Sequence, residues 1–324
     1  MTDSKNQQNL KIVFMGTPDF AATILEEILK VYPVLGVVTQ PDKPKGRSKE
    51  VTFSPVKELA VKHELPVYQP VKAKEPEFLE QLKELSPDVI VVAAFGQILP
   101  KALLEIPKYG CINVHASLLP KYRGAAPIQY SVIDGEKETG ITIMYMDVGI
   151  DTGDIILQDT VPISPEETGG SLFDKMAVQG AASIIKALRQ MEAGEVTRTP
   201  QDNEKATYVK MISKEMGKLD FTKSAQQLER LIRGLNPWPS AYTFLDGKSL
   251  KLWQASAEPV TDGQAHMFQE YEPGMIAQVR DNALVIMTGD GLLVVKELQL
   301  EGKKRMPADS FLRGFSVTLG TKLG

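Results

Sequence analysis

The sequence contains little of what disulfide-bonded, metal-binding or membrane-spanning proteins require. Its 324 residues include one cysteine, Cys111, and three histidines. A single cysteine excludes a disulfide framework and a cysteine cluster around a metal ion. The histidines are too scattered along the chain to predict a zinc site, so no metal ion is expected. The longest uninterrupted apolar run, residues 89–95, is far shorter than the ~18 residues that a membrane span needs.

Targeting signals are missing from the amino-terminal segment. Residues 1–9 are polar, contain no arginine and have no apolar core, so they predict neither a secretory signal nor a transit peptide. We therefore expect a cytoplasmic protein that does not bind membranes. We also expect it to be a monomer.

Apolar runs alternate with amphipathic helical segments over the first two hundred residues. Strands are predicted at residues 11–16, 34–39, 88–94 and 110–115, with helical spacing of apolar residues between most of them. This alternation indicates a doubly wound, mostly parallel α/β sheet of the Rossmann-like type. The first strand-to-helix turn, residues 16–19, lacks the Gly-x-Gly-x-x-Gly fingerprint, and no Walker A sequence is present. These two absences argue against NAD and ATP chemistry.

A second domain is predicted after a polar stretch. We expect a catalytic domain over residues 1–195, a linker over 196–212 and a carboxyl-terminal domain over 213–324. One helix precedes several short strands with turn residues between them, a pattern that favours a small, OB-like β-barrel. Residues 204–256 carry nine Lys or Arg against five acids, within a chain whose net charge is −4. This excess indicates either an anion-binding surface or a solvated lysine-rich face.

Two polar residues close the predicted strand 110–115. Asn113 and His115 are two positions apart, so in a strand they share one face. The carboxyl ends of strands are also where open α/β sheets bind their ligands. Asn can donate a hydrogen bond to a developing oxyanion and His can move a proton near neutral pH, which favours acyl transfer. A polar pair that only satisfies backbone groups is the open alternative, and Cys111 is expected to be a small core residue.

A carboxylate is expected beside this pair. Residues 141–147 alternate as in a strand and end in Asp147, which could face the same crevice and favour a protonated imidazole. Asp151-Thr152-Gly153 resembles the tripeptide of aspartic proteases, but no second copy exists to supply the paired carboxylate. We therefore interpret that tripeptide as part of a loop.

Longer blocks around these residues resemble the folate-dependent formyltransferases. The first block contains Asn113-Val114-His115, Ser117-Leu118-Leu119-Pro120 and Tyr122-Arg123-Gly124-Ala125-Ala126-Pro127-Ile128-Gln129. The second block is Asp147-Val148-Gly149-Ile150-Asp151-Thr152-Gly153-Asp154. Residues 14–20, 39–47 and 236–239 narrow the resemblance to the members that act on methionyl initiator tRNA. The resemblance extends from about residue 11 to beyond residue 253.

The resemblance implies an activity and a set of site residues. The activity is transfer of formyl from 10-formyltetrahydrofolate, a co-substrate, to the α-amino group of methionine on initiator tRNA during translation initiation. The implied catalytic residues are Asn113, His115 and Asp147. The implied folate-binding residues are Phe95, Gly96, Gln97, Ile98, Leu99, Pro100, Ser117, Leu118, Leu119 and Pro120. Arg47 matches an arginine of a loop that reaches the tRNA acceptor end, and the expected tRNA-binding residues are Lys43, Lys45, Arg47, Lys210 and Lys214.

Three other functions are compatible with parts of this sequence. The same catalytic domain could formylate an amino-sugar nucleotide or hydrolyse 10-formyltetrahydrofolate, although a small acceptor does not require the basic loop and basic carboxyl-terminal half. A catalytically silent RNA-binding module is a third hypothesis. The intact set of amide, imidazole and carboxylate argues against that module.

Overall fold

The computed structural model describes residues 9–44, 51–280 and 282–324. The strands in chain order are β1 (Ile12–Gly16), β2 (Val34–Val38), β3 (Lys43–Pro44), β4 (Val51–Thr52), β5 (Val67–Tyr68), β6 (Val89–Ala93), β7 (Cys111–His115), β8 (Arg123–Gly124), β9 (Glu138–Tyr145), β10 (Ile155–Pro162), β11 (Tyr208–Val209), β12 (Ala241–Leu245), β13 (Lys248–Glu258), β14 (Ile276–Arg280), β15 (Ala283–Met287), β16 (Leu292–Leu300) and β17 (Met306–Pro307).

Helices lie between most of these strands. They are α1 (Asp19–Leu29), α2 (Pro55–Lys62), α3 (Pro76–Leu85), α4 (Lys101–Leu104), α5 (Pro127–Ile133), α6 (Gly169–Ala193), α7 (Ala225–Gly234), α8 (Asp262–Ala265) and α9 (Ala308–Gly314), with 3-10 turns at Asn203–Lys205 and Glu215–Gly217. No helix within the described ranges is long and apolar enough to cross a membrane.

The chain forms two compact units. The first contains the described residues up to Pro127 together with Glu138–Pro162 and Phe173–Val209. The second contains Ile128–Lys137, Ile163–Leu172 and Lys210–Gly324. Two short segments that precede residue 173 therefore belong to the same unit as the carboxyl-terminal residues. The boundaries expected from sequence placed both segments in the catalytic domain, and those boundaries stay a prediction.

The first unit is built on a mixed but mostly parallel sheet. Its seven strands in the described chain have the order β10-β9-β7-β6-β1-β2-β5. The pairs from β7 to β5 are parallel, whereas β9 runs antiparallel to both β7 and β10. Strands β1 and β6 are buried along their whole length, which explains their continuous apolar sequences. The predicted class, a mostly parallel α/β sheet, is confirmed.

Local sequence signals account for several of the helices. Ser54 precedes α2 and its hydroxyl accepts a hydrogen bond from the backbone N–H of Lys57, as an N-cap residue should. On α6, the apolar stripe read from the sequence places Met176, Ile184 and Leu188 wholly inside the fold. The cap thus defines where α2 begins, and the buried stripe places α6 in the core.

The second unit contains an antiparallel sheet. Strands β12-β13-β16-β15-β14 are hydrogen-bonded in that order, and β17 pairs with β16. Helix α7 begins with a capping box between Ser224 and Gln227, and its Leu228 and Ile232 are completely buried in the core of this unit. The predicted helix and the several strands predicted after it are thus confirmed.

Candidate active site

Strand β7 positions Asn113 and His115. It lies between β6, to which it is parallel, and β9, to which it is antiparallel. Asn113 is half-buried, and its side-chain amide has no hydrogen-bond partner among the residues that the structure describes. His115 is 6% exposed and is the last residue of the strand. The structure therefore has the expected amide and imidazole two positions apart in one strand, as strand periodicity predicted.

Both ring nitrogens of His115 have a defined neighbour. Nε2 lies 2.9 Å from the backbone oxygen of Tyr122, so this nitrogen carries a hydrogen and donates it. Nδ1 lies 3.7 Å from Oδ2 of Asp151, within ion-pair distance but beyond a hydrogen bond. The same Asp151 oxygen accepts a 2.8 Å hydrogen bond from the backbone N–H of Gly124. Nδ1 is thus the nitrogen that can gain a proton, and a carboxylate faces it.

The prediction that Asp147 supplies this carboxylate is wrong. Strand β9 runs antiparallel to β7, so its carboxyl end lies beside Ile112, at the opposite end of β7 from His115. Asp147 follows that end and accepts hydrogen bonds from the Gly149 N–H, at 2.9 Å, and the Thr152 hydroxyl, at 2.5 Å. These bonds shape its own loop. The chain then folds back, and Asp151 reaches the imidazole.

From the sequence, Asp151 was expected only to be part of a loop. Its backbone adopts a left-handed conformation with φ of 54°. The loop closes tightly on the end of β9, because a Cβ atom on Gly153 would lie 1.8 Å from the Tyr145 oxygen. The available signal was three acids, Asp147, Asp151 and Asp154, in one short loop after β9, each of which was a candidate partner of His115.

The segment predicted to bind folate next to β6 divides into buried and exposed side chains. Phe95 and Leu99 pack in the core of the first unit, whereas Ile98 is 81% exposed. Gly96 has φ of +83°, which suits glycine. Gln97 accepts a 2.7 Å hydrogen bond from the backbone N–H of Ala73. Ile98 is accordingly the large apolar side chain of this segment that a ligand can reach. Pro100 is the N-cap residue of α4.

The second predicted folate segment forms the turn after β7. Ser117 is completely buried and its hydroxyl donates to the backbone oxygen of Lys121 at 2.6 Å. The Thr142 hydroxyl donates to the Ser117 oxygen at 2.6 Å and accepts from the Leu119 N–H at 3.1 Å. A Cβ on Gly140 would lie 2.5 Å from the Leu118 side chain. The segment that ends at Pro120 is therefore rigidly held beside the imidazole, and ligand contact by its residues stays a prediction.

The basic residues predicted to contact tRNA lie in different parts of the chain. Lys43 is the first residue of β3. Lys45 and Arg47 lie outside the described residues. Lys210 and Lys214 are exposed in the second unit. In the described part of the chain, no cluster of His, Cys, Asp or Glu side chains could hold a metal ion.

An amide without a partner among the described residues, an imidazole whose Nδ1 makes no hydrogen bond there, and a carboxylate that faces this nitrogen constitute a site suited to acyl-group transfer. Comparison with known families gives the same class. A model of the formyl transferase family matches residues 10–188, and a model of its carboxyl-terminal domain matches residues 211–316. The chain belongs to the formyl transferase family.

Several relatives resemble the chain over nearly its full length. The methionyl-tRNA formyltransferase of Lachnospira eligens is 54% identical over 317 residues, which are 97% of this chain and 100% of the relative. That of Agathobacter rectalis is 53% identical, over 96% of this chain and 99% of the relative. That of Clostridioides difficile is 49% identical, over 97% of this chain and 100% of the relative.

Solved structures support the fold. A sugar 3N-formyl transferase with dTDP and 5-N-formyl-THF matches with a TM-score of 0.66 at 21% identity, over 92% of this chain and 100% of that chain. An N-formyltransferase from Helicobacter canadensis, in complex with folinic acid and dTDP-3-aminofucose, also matches with a TM-score of 0.66 at 21% identity, over 88% of this chain and 98% of that chain.

Proposed function

We propose that this chain transfers a formyl group from 10-formyltetrahydrofolate to the α-amino group of methionine esterified to initiator tRNA, in translation initiation. The observation that carries the proposal is the full-length identity of 49–54% to three relatives named methionyl-tRNA formyltransferase. The geometry around His115 agrees with it, since an amide donor, an imidazole and a facing carboxylate suit acyl transfer to an amine.

The residues that follow the carboxyl ends of β6 and β7 fit a folate donor. The solved relatives contain folates: 5-N-formyl-THF in one and folinic acid in the other. In this chain the Asn113 amide has two N–H donors and no partner among the described residues, so it is available to donate a hydrogen bond to a ligand. The exposed Ile98 offers an apolar surface to a pterin ring. Residues 95–100 and 117–120 are proposed to hold the donor, which supplies the activated formyl group.

Asn113 and His115 divide the chemistry between them. The Asn113 amide donates a hydrogen bond to the negative charge that develops on the formyl oxygen when the amine attacks. A well-placed donor of this kind is worth ~10²–10³-fold in rate. Nδ1 of His115 accepts the proton that the attacking amine loses and can return it to the leaving nitrogen, a role worth ~10²–10⁴-fold. Because Nε2 already donates to Tyr122, Nδ1 is the free position on the ring.

Asp151 keeps the charged imidazole in place. Its Oδ2 is 3.7 Å from Nδ1, so the carboxylate stabilises the positive charge that the ring acquires with the proton. Asp151 is largely shielded from water, with 16% of its side chain exposed, so solvent screens this interaction only in part. We therefore assign to Asp151 the role that the sequence had suggested for Asp147.

The basic residues are proposed to bind the acceptor tRNA. Arginine and lysine side chains bind phosphates, and this contribution weakens as salt rises. Arg47→Ala is expected to lower kcat/KM for charged tRNA while the Kd for folate stays near that of the parent, because Arg47 is proposed to reach the acceptor end. A comparable loss of folate affinity in that variant contradicts this assignment.

One assay tests the function against its alternatives. The protein is mixed with 10-formyltetrahydrofolate and methionyl initiator tRNA, and formyl-methionine is measured after the ester is released. Parallel reactions replace the tRNA by a dTDP-amino sugar or omit the acceptor. Rapid formylation of the tRNA supports the proposal. Formylation of the sugar alone, or release of formate without an acceptor as the main reaction, overturns it.

A further inference from the structure

A buried arginine lies between the two residues whose backbones contact His115 and Asp151, Tyr122 and Gly124. Arg123 is 1% exposed, and its guanidinium forms no ion pair with any acid of the described residues. Its acceptors are neutral: Gln201 Oε1 at 2.8 and 3.1 Å, Asn203 Oδ1 at 2.8 Å and the Tyr208 hydroxyl at 3.1 Å. Burying a charge without an opposite charge is costly, so this arrangement requires a reason.

Gln201 connects the arginine to the loop of Asp151. While its oxygen accepts from Arg123, its Nε2 donates to the backbone oxygens of Asp151, at 2.9 Å, and Gly153, at 2.8 Å. An amide whose oxygen accepts from a cation is polarised, so its N–H groups become stronger donors. A neutral amide is essential to this bridge, because its oxygen accepts hydrogen bonds while its nitrogen donates them.

Two residues beside the imidazole have a left-handed backbone. Asp151 has φ of 54° and Tyr122, whose carbonyl accepts from His115, has φ of 59°. For residues other than glycine this conformation costs of order 1–3 kcal/mol and persists only where neighbours enforce it. Tyr122 is held through its N–H, which donates to the Thr207 hydroxyl at 2.8 Å. Strands β8 and β11 pair beside it.

We propose that Gln201, polarised by the buried Arg123, is a positioning residue that holds the strained Asp151 backbone so that its carboxylate faces Nδ1 of His115. This rests on the proposed function for the reaction that is measured, but its geometry depends only on the first unit. Gln201 lies in the stretch 196–212 that the sequence predicted to be a linker, and it thereby helps to position the Asp151 carboxylate.

The substitution Gln201→Glu separates positioning from folding. The new carboxylate still accepts from Arg123, now as a buried ion pair, so the arginine stays satisfied. It has no N–H for the two carbonyls, and its oxygens repel them at these distances. Asp151 is released while the rest of the network stays. Misplacement by about 1 Å in an active site can cost ~10²-fold.

The expected result is a fall in kcat of ~10–100-fold, with KM for folate and for tRNA within about twofold of the parent. Asn203→Ala is the control for a disturbed Arg123: it removes an acceptor of the guanidinium, and the Asn203 side chain has no hydrogen bond to Asp151, so kcat should stay within about twofold. In an Asp151→Asn background, Gln201→Glu should have little further effect, because the group that it positions has lost its charge.

Three results overturn the inference. They are an unchanged kcat in Gln201→Glu, an equal loss in Asn203→Ala, and the same fold-loss from Gln201→Glu in both backgrounds, which indicates a general structural role. Far-ultraviolet circular dichroism and the melting temperature establish that each variant is folded. Failure of the proposed function is recognised separately, since it leaves the parent protein itself without activity on tRNA. The ratios between variants can then be measured on whichever acceptor the parent uses.

Discussion

Strand β7 and the loop from Asp147 to Asp154 supply two parts of one site, and they hold their side chains by different means. Asn113 and His115 are fixed by the ladder between β6 and β9, in which every position of the strand has a backbone partner. Asp151 has no such ladder. Its carboxylate accepts from Gly124 and its backbone from Gln201, fifty residues further along the chain.

The difference determines how each region should respond to substitution. A side chain on a buried strand can be removed without moving its neighbours, because backbone hydrogen bonds keep the strand in place. A loop that is held by side chains moves when one of those side chains is lost. Substitutions on β7 should therefore affect chemistry alone, whereas substitutions around the loop should affect both geometry and chemistry.

The largest expected effect comes from the strand. Asn113→Ala removes the unpartnered amide and should lower kcat by ~10²–10³-fold, the usual cost of one oxyanion donor. His115→Ala removes the proton acceptor and should lower kcat by at least ~10²-fold. Single-turnover formylation of charged tRNA measures both. Melting temperatures close to that of the parent are also expected, and a variant with turnover within tenfold of the parent contradicts the role of that residue.

A pair of substitutions compares Asp151 with Asp147. Asp151→Asn keeps the size of the side chain and an oxygen for Gly124, but it removes the charge that faces Nδ1, so kcat should fall by about 10²-fold. Asp147→Asn keeps an acceptor for Gly149 and Thr152, so kcat should change by less than about threefold. The same formylation assay measures both variants. If Asp147→Asn proves the more damaging of the two, the reassignment of the carboxylate is wrong.

The contrast also explains what the sequence could predict. The spacing of Asn113 and His115 is a local property, because alternation in a strand needs no information from elsewhere in the chain. The position of Asp147 depended on the direction of β9. Parallel and antiparallel strands give the same alternation of residues in the sequence. The pattern therefore could not show that β9 ends beside Ile112 instead of His115.

Long-range bridges were equally invisible. Residues 196–212 are polar and predicted a linker, yet Tyr208 and Val209 pair with Arg123 and Gly124. A two-residue strand has no periodicity to detect, and the partners of Gln201 lie about fifty and eighty residues away. The mostly parallel sheet, by contrast, follows from apolar runs that alternate with helical segments, and the carboxyl-terminal strands follow from repeated short segments with turn residues between them. Both sets of elements were predicted correctly.

A steric substitution tests the tightness of the loop. Gly153→Ala places a Cβ 1.8 Å from the Tyr145 oxygen, and a backbone atom at the end of β9 cannot move aside easily. The free energy of unfolding should fall by about 2 kcal/mol or more, measured by urea denaturation. Gly263→Ala is the control, since nothing lies within 4 Å of its Cβ, and it should change stability by less than about 0.5 kcal/mol. Equal stability of the two variants means that the loop is not sterically restricted.

The smallest expected effect is at the other end of β7. Cys111 begins the strand that His115 ends, and it is 2% exposed. Burial raises the pKa of its thiol to about 12. At pH 8 the reactive thiolate is then only about one molecule in 10⁴, so thiol reagents should leave the folded protein active and unmodified, as mass spectrometry would show. Guanidinium-unfolded protein provides the control and should react within minutes. Rapid labelling of the folded protein at pH 8 indicates instead that β7 opens to solvent. The strand is then not more rigid than the loop, and the comparison between the two regions is wrong.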